Sequence, residues 1–312
     1  MKYVDLHCDT LTVCADKGLD IRSCSLQADL EKLKKSECAA QCFAVFTDGG
    51  LAALNFEKYI NYYLGILPKI SHIAAPIKKF SDFAVCEKQN KTGIILTVEN
   101  LGFIGGVINK IDRLASLGVK MASLVWNNKN VLASPNSVFC DGVLPYKRNG
   151  EGLSALGAEA VERLDANRII IDISHLSDGG ADEILTGRKK PVAASHSNAQ
   201  AVRDVSRNLT DGQIKKIAAC GGVIGVNFCA NFLGNGTFDD LYRHISHIIN
   251  KGGEEVVALG SDFDGIPENA YIKDCTAVPR MFEYLSVMGI SPRVLEKLAF
   301  KNFYRVFKEV CG

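Results

Sequence analysis

Three imidazoles and four carboxylates stand in this chain where short apolar runs give out. DLHCDT, residues 5–10, sets His7 and Asp9 two positions apart, and on an extended strand such residues project to the same side. GIILTVE ends in Glu99, RIIIDISH in His175 and PVAASH in His196, while GSDFDG carries Asp262 and Asp264. Taken one at a time these residues say little. A strand-end histidine is more often a hydrogen-bonded structural residue, and a glutamate after an apolar strand is ordinarily solvated. Their recurrence at corresponding positions of five strands points instead to metal chemistry. Imidazole nitrogens mixed with carboxylate oxygens suit zinc best, ahead of manganese, iron or cobalt. His7, Asp9, Glu99, His175 and His196 are more ligands than one catalytic zinc takes from a protein. The sequence therefore predicts a metal pair that clamps and activates a shared water, with Glu99 as the bridge because its strand lies between the two groups. His72, His244 and His247 fall in helical segments with exposed-looking neighbours and receive no role.

Elements that alternate regularly must hold these residues. Apolar, β-branched runs recur near 3–7, 39–46, 93–99, 120–126, 168–175, 191–196, 222–228 and 256–262, and most are separated by segments of helical period. Within 154–167, Leu156, Ala160, Val161 and Leu164 mark one buried face. Ser154 and Thr210 are predicted N-caps, and Gly118 and Gly221 predicted stops. Most runs are continuously apolar, as in a parallel sheet covered on its outer face. Eight units in one chain predict an α/β fold of the (β/α)8 TIM-type barrel class, in which the C-terminal strand ends converge on one face. A doubly wound open sheet is the second choice, weakened by the absence of GxGxxG after the first strand. No repeat, low-complexity tract or linker divides the chain, so 1–312 reads as one domain. The stretch 127–153 is the longest without clear periodicity, as binding loops often are.

Composition closes off several function classes. The chain has 312 residues, 47% hydrophobic and 23% charged, with a formal net charge of +1. That balance offers no electrostatic footprint for nucleic acid or an anionic membrane. No apolar run reaches the roughly 20 residues of a membrane span. MKYVDLHCDT lacks the apolar stretch of an export signal, and the expectation is a cytoplasmic protein. The 11 cysteines include no CxxC pair and read as small buried hydrophobes in a reducing compartment. Cys8 is expected to point away from His7 and Asp9.

The ordered set DLHCDT, ILTVEN, IDISHLS, ASHSNA, RNLTD and GSDFDG resembles the membrane-dipeptidase (renal dipeptidase) family of zinc metallopeptidases, in its bacterial-type form, over residues 3 to about 307. HxD alone is shared with many hydrolases; the ordered set is specific. The resemblance implies a barrel hydrolase holding two zinc ions, one on His7 and Asp9, the other on His175 and His196, with Glu99 bridging. It implies that Arg207 holds the C-terminal carboxylate of a dipeptide substrate, that Asp262 moves a proton from the bridging water to the leaving amine, and that the enzyme is a homodimer. It further suggests tolerance of a D-residue on the C-terminal side. Asp264 reads as structural.

Two positions depart from the family pattern. Trp126 stands where many members carry a histidine that supports the substrate carbonyl, and Cys229 stands where some carry a tyrosine. Trp126 is expected to donate its N–H to substrate or to wall the pocket. These changes keep open a related hydrolase acting on an N-acyl amino acid, a cyclic amide or a lactone with the same two metals. A non-catalytic binding protein on the same barrel would be expected to lack a ligand, and none is missing.

Overall fold

A computed structural model describes residues 1–136 and 148–312 of the chain. Among these residues nine strands form one sheet: β1 (Tyr3–Cys8), β2 (Cys38–Phe46), β3 (Ala74–Pro76), β4 (Thr92–Glu99), β5 (Val119–Ser123), β6 (Ile170–Asp172), β7 (Ala193–Ala194), β8 (Val223–Val226) and β9 (Val257–Leu259). All pairings are parallel. β2 pairs with both β1 and β4, β1 pairs with β9, and the ladder runs on through β8, β7, β6 and β5 to β4. Eight strands thus close a barrel with helices between them, as the alternation predicts. The ninth, β3, is short and proline-ended. It pairs only with β4, outside the ring, and the sequence reading misses it.

The lumen is packed rather than open, as in barrels of this size. Leu6, Cys42, Ile95, Met121, Ile170, Ala193, Val223 and Ala258, one from each ring strand, belong to one buried cluster with Phe303, Val306 and Phe307. Those last three come from the helix Asn302–Cys311, which stoppers the barrel. Its Cys311 Sγ lies 3.4 Å from the Arg168 carbonyl oxygen, just ahead of β6, so the stopper sits at the N-terminal ends of the strands. The opposite end is left to the loops that follow them.

Ser154 caps its helix by accepting from the Gly157 N–H, and Thr210 forms a reciprocal capping box with Gln213. Gly118 takes the left-handed conformation, φ +90°, that stops its helix. The helix Ala155–Ala166 buries Gly157, Ala160 and Leu164; Leu156, predicted inside, is 37% exposed. The later strands end before the apolar runs do. Past β6 and β7 the Ser174 and Ser195 N–H groups bond the Asp172 carboxylate, and past β8 the Asn227 N–H bonds the Asn198 side chain. Side chains there share the ladder with backbone bonds such as that from the Ser197 N–H to the Gly225 carbonyl oxygen, 2.7 Å. The ten described cysteines are free, and Cys8 is buried in the outer core. Part of the loop 127–153, with Cys140, lies outside the described residues. Among the described residues no helix is long and apolar enough to cross a membrane.

Candidate metal centre

Each predicted ligand is placed by a strand end. His7 is still within β1 and Glu99 is the last residue of β4. His175 and His196 follow β6 and β7 by a few residues. Asp9 is held where its N–H donates to the Phe263 carbonyl oxygen, 2.8 Å, and Asp262 where its N–H donates to that of His7, 3.1 Å. Asp262 has φ +65°, a left-handed conformation that aspartate tolerates better than most residues. Beside it, a Cβ at Gly265 would stand 2.1 Å from Asp9 Oδ2 and 2.8 Å from Asp262 Oδ1, so both carboxylates would have to shift to admit one.

Six side chains converge. His7 Nε2 lies 3.5 Å from Asp9 Oδ2, 3.6 Å from Glu99 Oε2 and 3.7 Å from Asp262 Oδ1, and it is buried without a hydrogen-bond partner. On the other side, Glu99 Oε1 lies 2.9 Å from His175 Nε2 and 3.6 Å from His196 Nε2. Glu99 therefore turns one oxygen to each group. Ligands at about 2.1 Å from a tetrahedral ion stand about 3.4 Å apart, close to most of these spacings. Both clusters of close metal-ligating side chains among the described residues, His7–Glu99–His196 and His7–Asp9–Asp262, belong to this one centre.

The hydrogen bonds behind the rings are those a cation site needs. His175 Nδ1 faces Asn127 Oδ1 at 3.0 Å. His196 Nδ1 faces Ser195 Oγ at 2.7 Å, and that hydroxyl donates to Asp172. An acceptor behind each ring fixes the proton on Nδ1 and leaves an unshared pair on Nε2. The two Nε2 atoms are 2.8 Å apart and both face a carboxylate oxygen. Such an arrangement is repulsive unless positive charge lies between, so the residues present fit a metal.

Burial governs the electrostatics. It pushes Glu99 well above the usual carboxylate range. It lifts Asp262 to about 6, with His7 opposing and the Asp9 charge adding. Burial pulls His7 down, but Glu99, Asp9 and Asp262 together prevail and raise it to about 10. His175 and His196 fall well below the ordinary histidine value, through burial first and nearby positive charge second.

Arg207 is buried beside the histidines, 4% exposed. Its guanidinium donates to the Ser174 and His196 carbonyl oxygens and approaches His175 Nε2 at 3.2 Å. Its Nε has no partner, and among the described residues it forms no ion pair with a carboxylate. A cavity of about 310 Å³ opens over the centre; Glu99, His175, Arg207 and Asp262 line it alongside Phe46, Trp126, Phe232 and Ile266. Trp126 is half-buried, edge-on to Phe46 at 4.8 Å and 6.2 Å from the His175 ring. Cys229 also lines the cavity, its thiol pushed up to about 11 by burial.

Asp264 stands apart from the donor cluster and braces a loop, accepting from Thr10 Oγ1 at 2.5 Å and the Gln27 N–H at 2.7 Å. Of the remaining histidines, His72 is exposed in a turn and His247 pairs with Asp211. His244 is fully buried, contrary to the sequence reading, because it joins the Ala199 N–H to the Leu233 carbonyl oxygen. Sequence reasoning gave no role to Asn127, Asp172, Ser195 or Asn227, whose Nδ2 donates to Asp262 Oδ2 at 2.8 Å. One signal for Ser195 and Asp172 was available: a serine directly precedes both His196 and Asp262, and an aspartate lies two or three residues ahead of His7 and His175.

Residues 1–311 match the family model described as membrane dipeptidase (peptidase family M19). Over 252 residues the chain is 32% identical to an uncharacterized protein in the pqqA 5′ region of Klebsiella pneumoniae, covering 77% of this chain and 92% of that one. Its fold is similar to that of the dipeptidase AC, a metallopeptidase of family M19, with TM-score 0.92 and 24% identity over 100% and 99% of the two chains. It is similar also to that of a metallopeptidase from Rhodobacter sphaeroides liganded with a phosphinate mimic of the dipeptide L-Ala-D-Ala, with TM-score 0.91 and 23% identity over 99% of each.

Proposed function

The chain belongs to the membrane dipeptidase family, peptidase family M19, a family of metal-dependent dipeptidases, and from that membership we propose a two-zinc dipeptidase that accepts L,D as well as L,L substrates. The observation that carries the reading is a buried guanidinium, Arg207, that forms no ion pair with a carboxylate among the described residues and stands beside a buried set of candidate metal ligands. A buried charge without a partner is costly, and a guanidinium fork matches a carboxylate. A dipeptide brings a free carboxylate one residue beyond its scissile bond.

His7, Asp9 and Glu99 would hold one zinc, and Glu99, His175 and His196 the other. Zinc at these ligands supplies the Lewis acidity that polarises a peptide carbonyl and makes water nucleophilic near neutral pH. The protein's own groups do the rest. Arg207 fixes the register of the substrate. Asp262, steadied by Asn227, takes the proton of the attacking water and returns it to the departing amine. Trp126 and Phe46 wall the cavity. Tolerance of a C-terminal D-residue is supported by the L-Ala-D-Ala mimic carried by the Rhodobacter sphaeroides relative, and a homodimer by the family resemblance.

A related reading survives in Trp126, which replaces the family histidine: Arg207 would equally receive the carboxylate of an N-acyl amino acid. The test offers zinc-loaded protein L-Ala-L-Ala, L-Ala-D-Ala, a tripeptide and N-acetyl-Ala. Cleavage of both dipeptides with the tripeptide spared supports the proposal. Cleavage of N-acetyl-Ala alone moves the enzyme to the second reading.

A further inference from the structure

Beneath the centre lie two buried aspartates that no ion pair balances among the described residues. Asp172 is 4% exposed. Its Oδ1 accepts from the Ser174 N–H at 3.0 Å, Ser174 Oγ at 2.6 Å and the Ser195 N–H at 2.9 Å. Its Oδ2 accepts from Ser195 Oγ at 2.5 Å. Asp5 is the matching group beneath Asp262, accepting from the Ser261 N–H at 2.8 Å and Ser261 Oγ at 2.5 Å. Each aspartate thus ties its own strand to the serine that directly precedes a residue of the centre.

The two clamps differ in one respect. Ser261 Oγ reaches only backbone groups besides Asp5, whereas Ser195 Oγ also stands 2.7 Å from His196 Nδ1. The Ser195 hydroxyl has one proton. Asp172 Oδ2 accepts it, and Asp172 Oδ1 already takes the Ser174 hydroxyl and two backbone N–H groups, so no proton returns from that side. The Ser174 hydroxyl, 3.1 Å away, gives its own proton to Asp172. Ser195 Oγ can then only accept from the ring, which places the imidazole proton on Nδ1.

We propose that Asp172 is a positioning residue that acts through Ser195 to hold His196 in the Nδ1–H tautomer, so that Nε2 is presented as a metal ligand before any metal arrives. The inference rests on His196 as a ligand and not on the identity of the substrate. Partners behind a metal-bound histidine commonly set its tautomer and affinity.

Asp172→Asn is the discriminating variant, because it keeps size and reverses polarity. The amide oxygen must face the Ser174 and Ser195 N–H donors, which sets its NH2 group against Ser195 Oγ. The hydroxyl then accepts from asparagine and turns its proton to His196 Nδ1, leaving Nε2–H facing the centre. Zinc affinity would be measured on the full chain by competition with a chromophoric chelator. The imidazole nitrogen shifts of His196 would be read by NMR on metal-free protein, and thermal unfolding would confirm folding. Asp172→Asn and Ser195→Ala are expected to weaken zinc about 10- to 100-fold, with Ser261→Ala near wild type. The wild-type spectrum is expected to show Nδ1–H, and that of Asp172→Asn a shift toward Nε2–H. Wild-type zinc affinity in a folded Asp172→Asn, an equal loss in Ser261→Ala, or Nε2–H in the metal-free wild type would overturn the proposal. If Asp172→Asn does not fold, Ser195→Ala set against Ser261→Ala decides. Hydrolysis is not a readout, so a wrong substrate leaves the test intact.

Discussion

Glu99 is where the two halves of the centre meet, one oxygen toward His7 and the other toward His175 and His196. Glutamine there keeps the shape but removes the charge and aims an N–H₂ at one set of ligands. Glu99→Gln is expected to lower dipeptide turnover on the order of a thousandfold or more, as loss of a group that stabilises developing charge does, and to bind less zinc by elemental analysis. Arg207→Lys keeps a charge but loses the fork. It is expected to raise the dipeptide KM roughly 10- to 100-fold with kcat changed less, in steady-state assays. The candidate ligands were legible because imidazoles and carboxylates at the ends of apolar runs are conspicuous. Asp172, Ser195 and Asn227 were not. They act on ring nitrogens, backbone N–H groups and carboxylates of other strands, and nothing in a serine's own neighbourhood reveals which proton it accepts.

Alternation of apolar runs with helical periods made the barrel legible, and with it the face on which the site lies. Strand ends were less legible, because side chains such as Asp172 and Asn198 take over ladder hydrogen bonds that apolar pattern cannot distinguish. β3 escaped because three residues ending in proline leave no pattern. Close approach of elements was also hidden, and two glycines show it. A Cβ at Gly260 would stand 1.8 Å from the Ser195 carbonyl oxygen, a rigid backbone atom, whereas one at Gly265 meets the ends of two carboxylates. Gly260→Ala is expected to cost about 1–3 kcal/mol or more, as overpacking does, read as a lower denaturant midpoint. Gly265→Ala is expected to leave that midpoint nearly in place and to weaken zinc binding by displacing Asp9 and Asp262, read by chelator competition.

At the scale of the whole molecule, the barrel separates what stabilises it from what it does. The stopper of Phe303, Val306 and Phe307 closes one end, and the candidate metal centre lies at the other. Phe307→Ala is expected to cost about 3–5 kcal/mol of stability, the usual price of emptying a buried aromatic site, while zinc affinity measured well below the unfolding transition stays at the wild-type value. The closure that shapes the barrel has a further consequence. Asp5 and Ser261 are 256 residues apart in sequence, and β1 meets β9 only across that interval. A ribosome delivers β1 first and β9 long afterwards. Until then His7 waits without Asp262, so the centre has no nascent form. On the proposed ligand set, metal loading then follows synthesis rather than accompanying it.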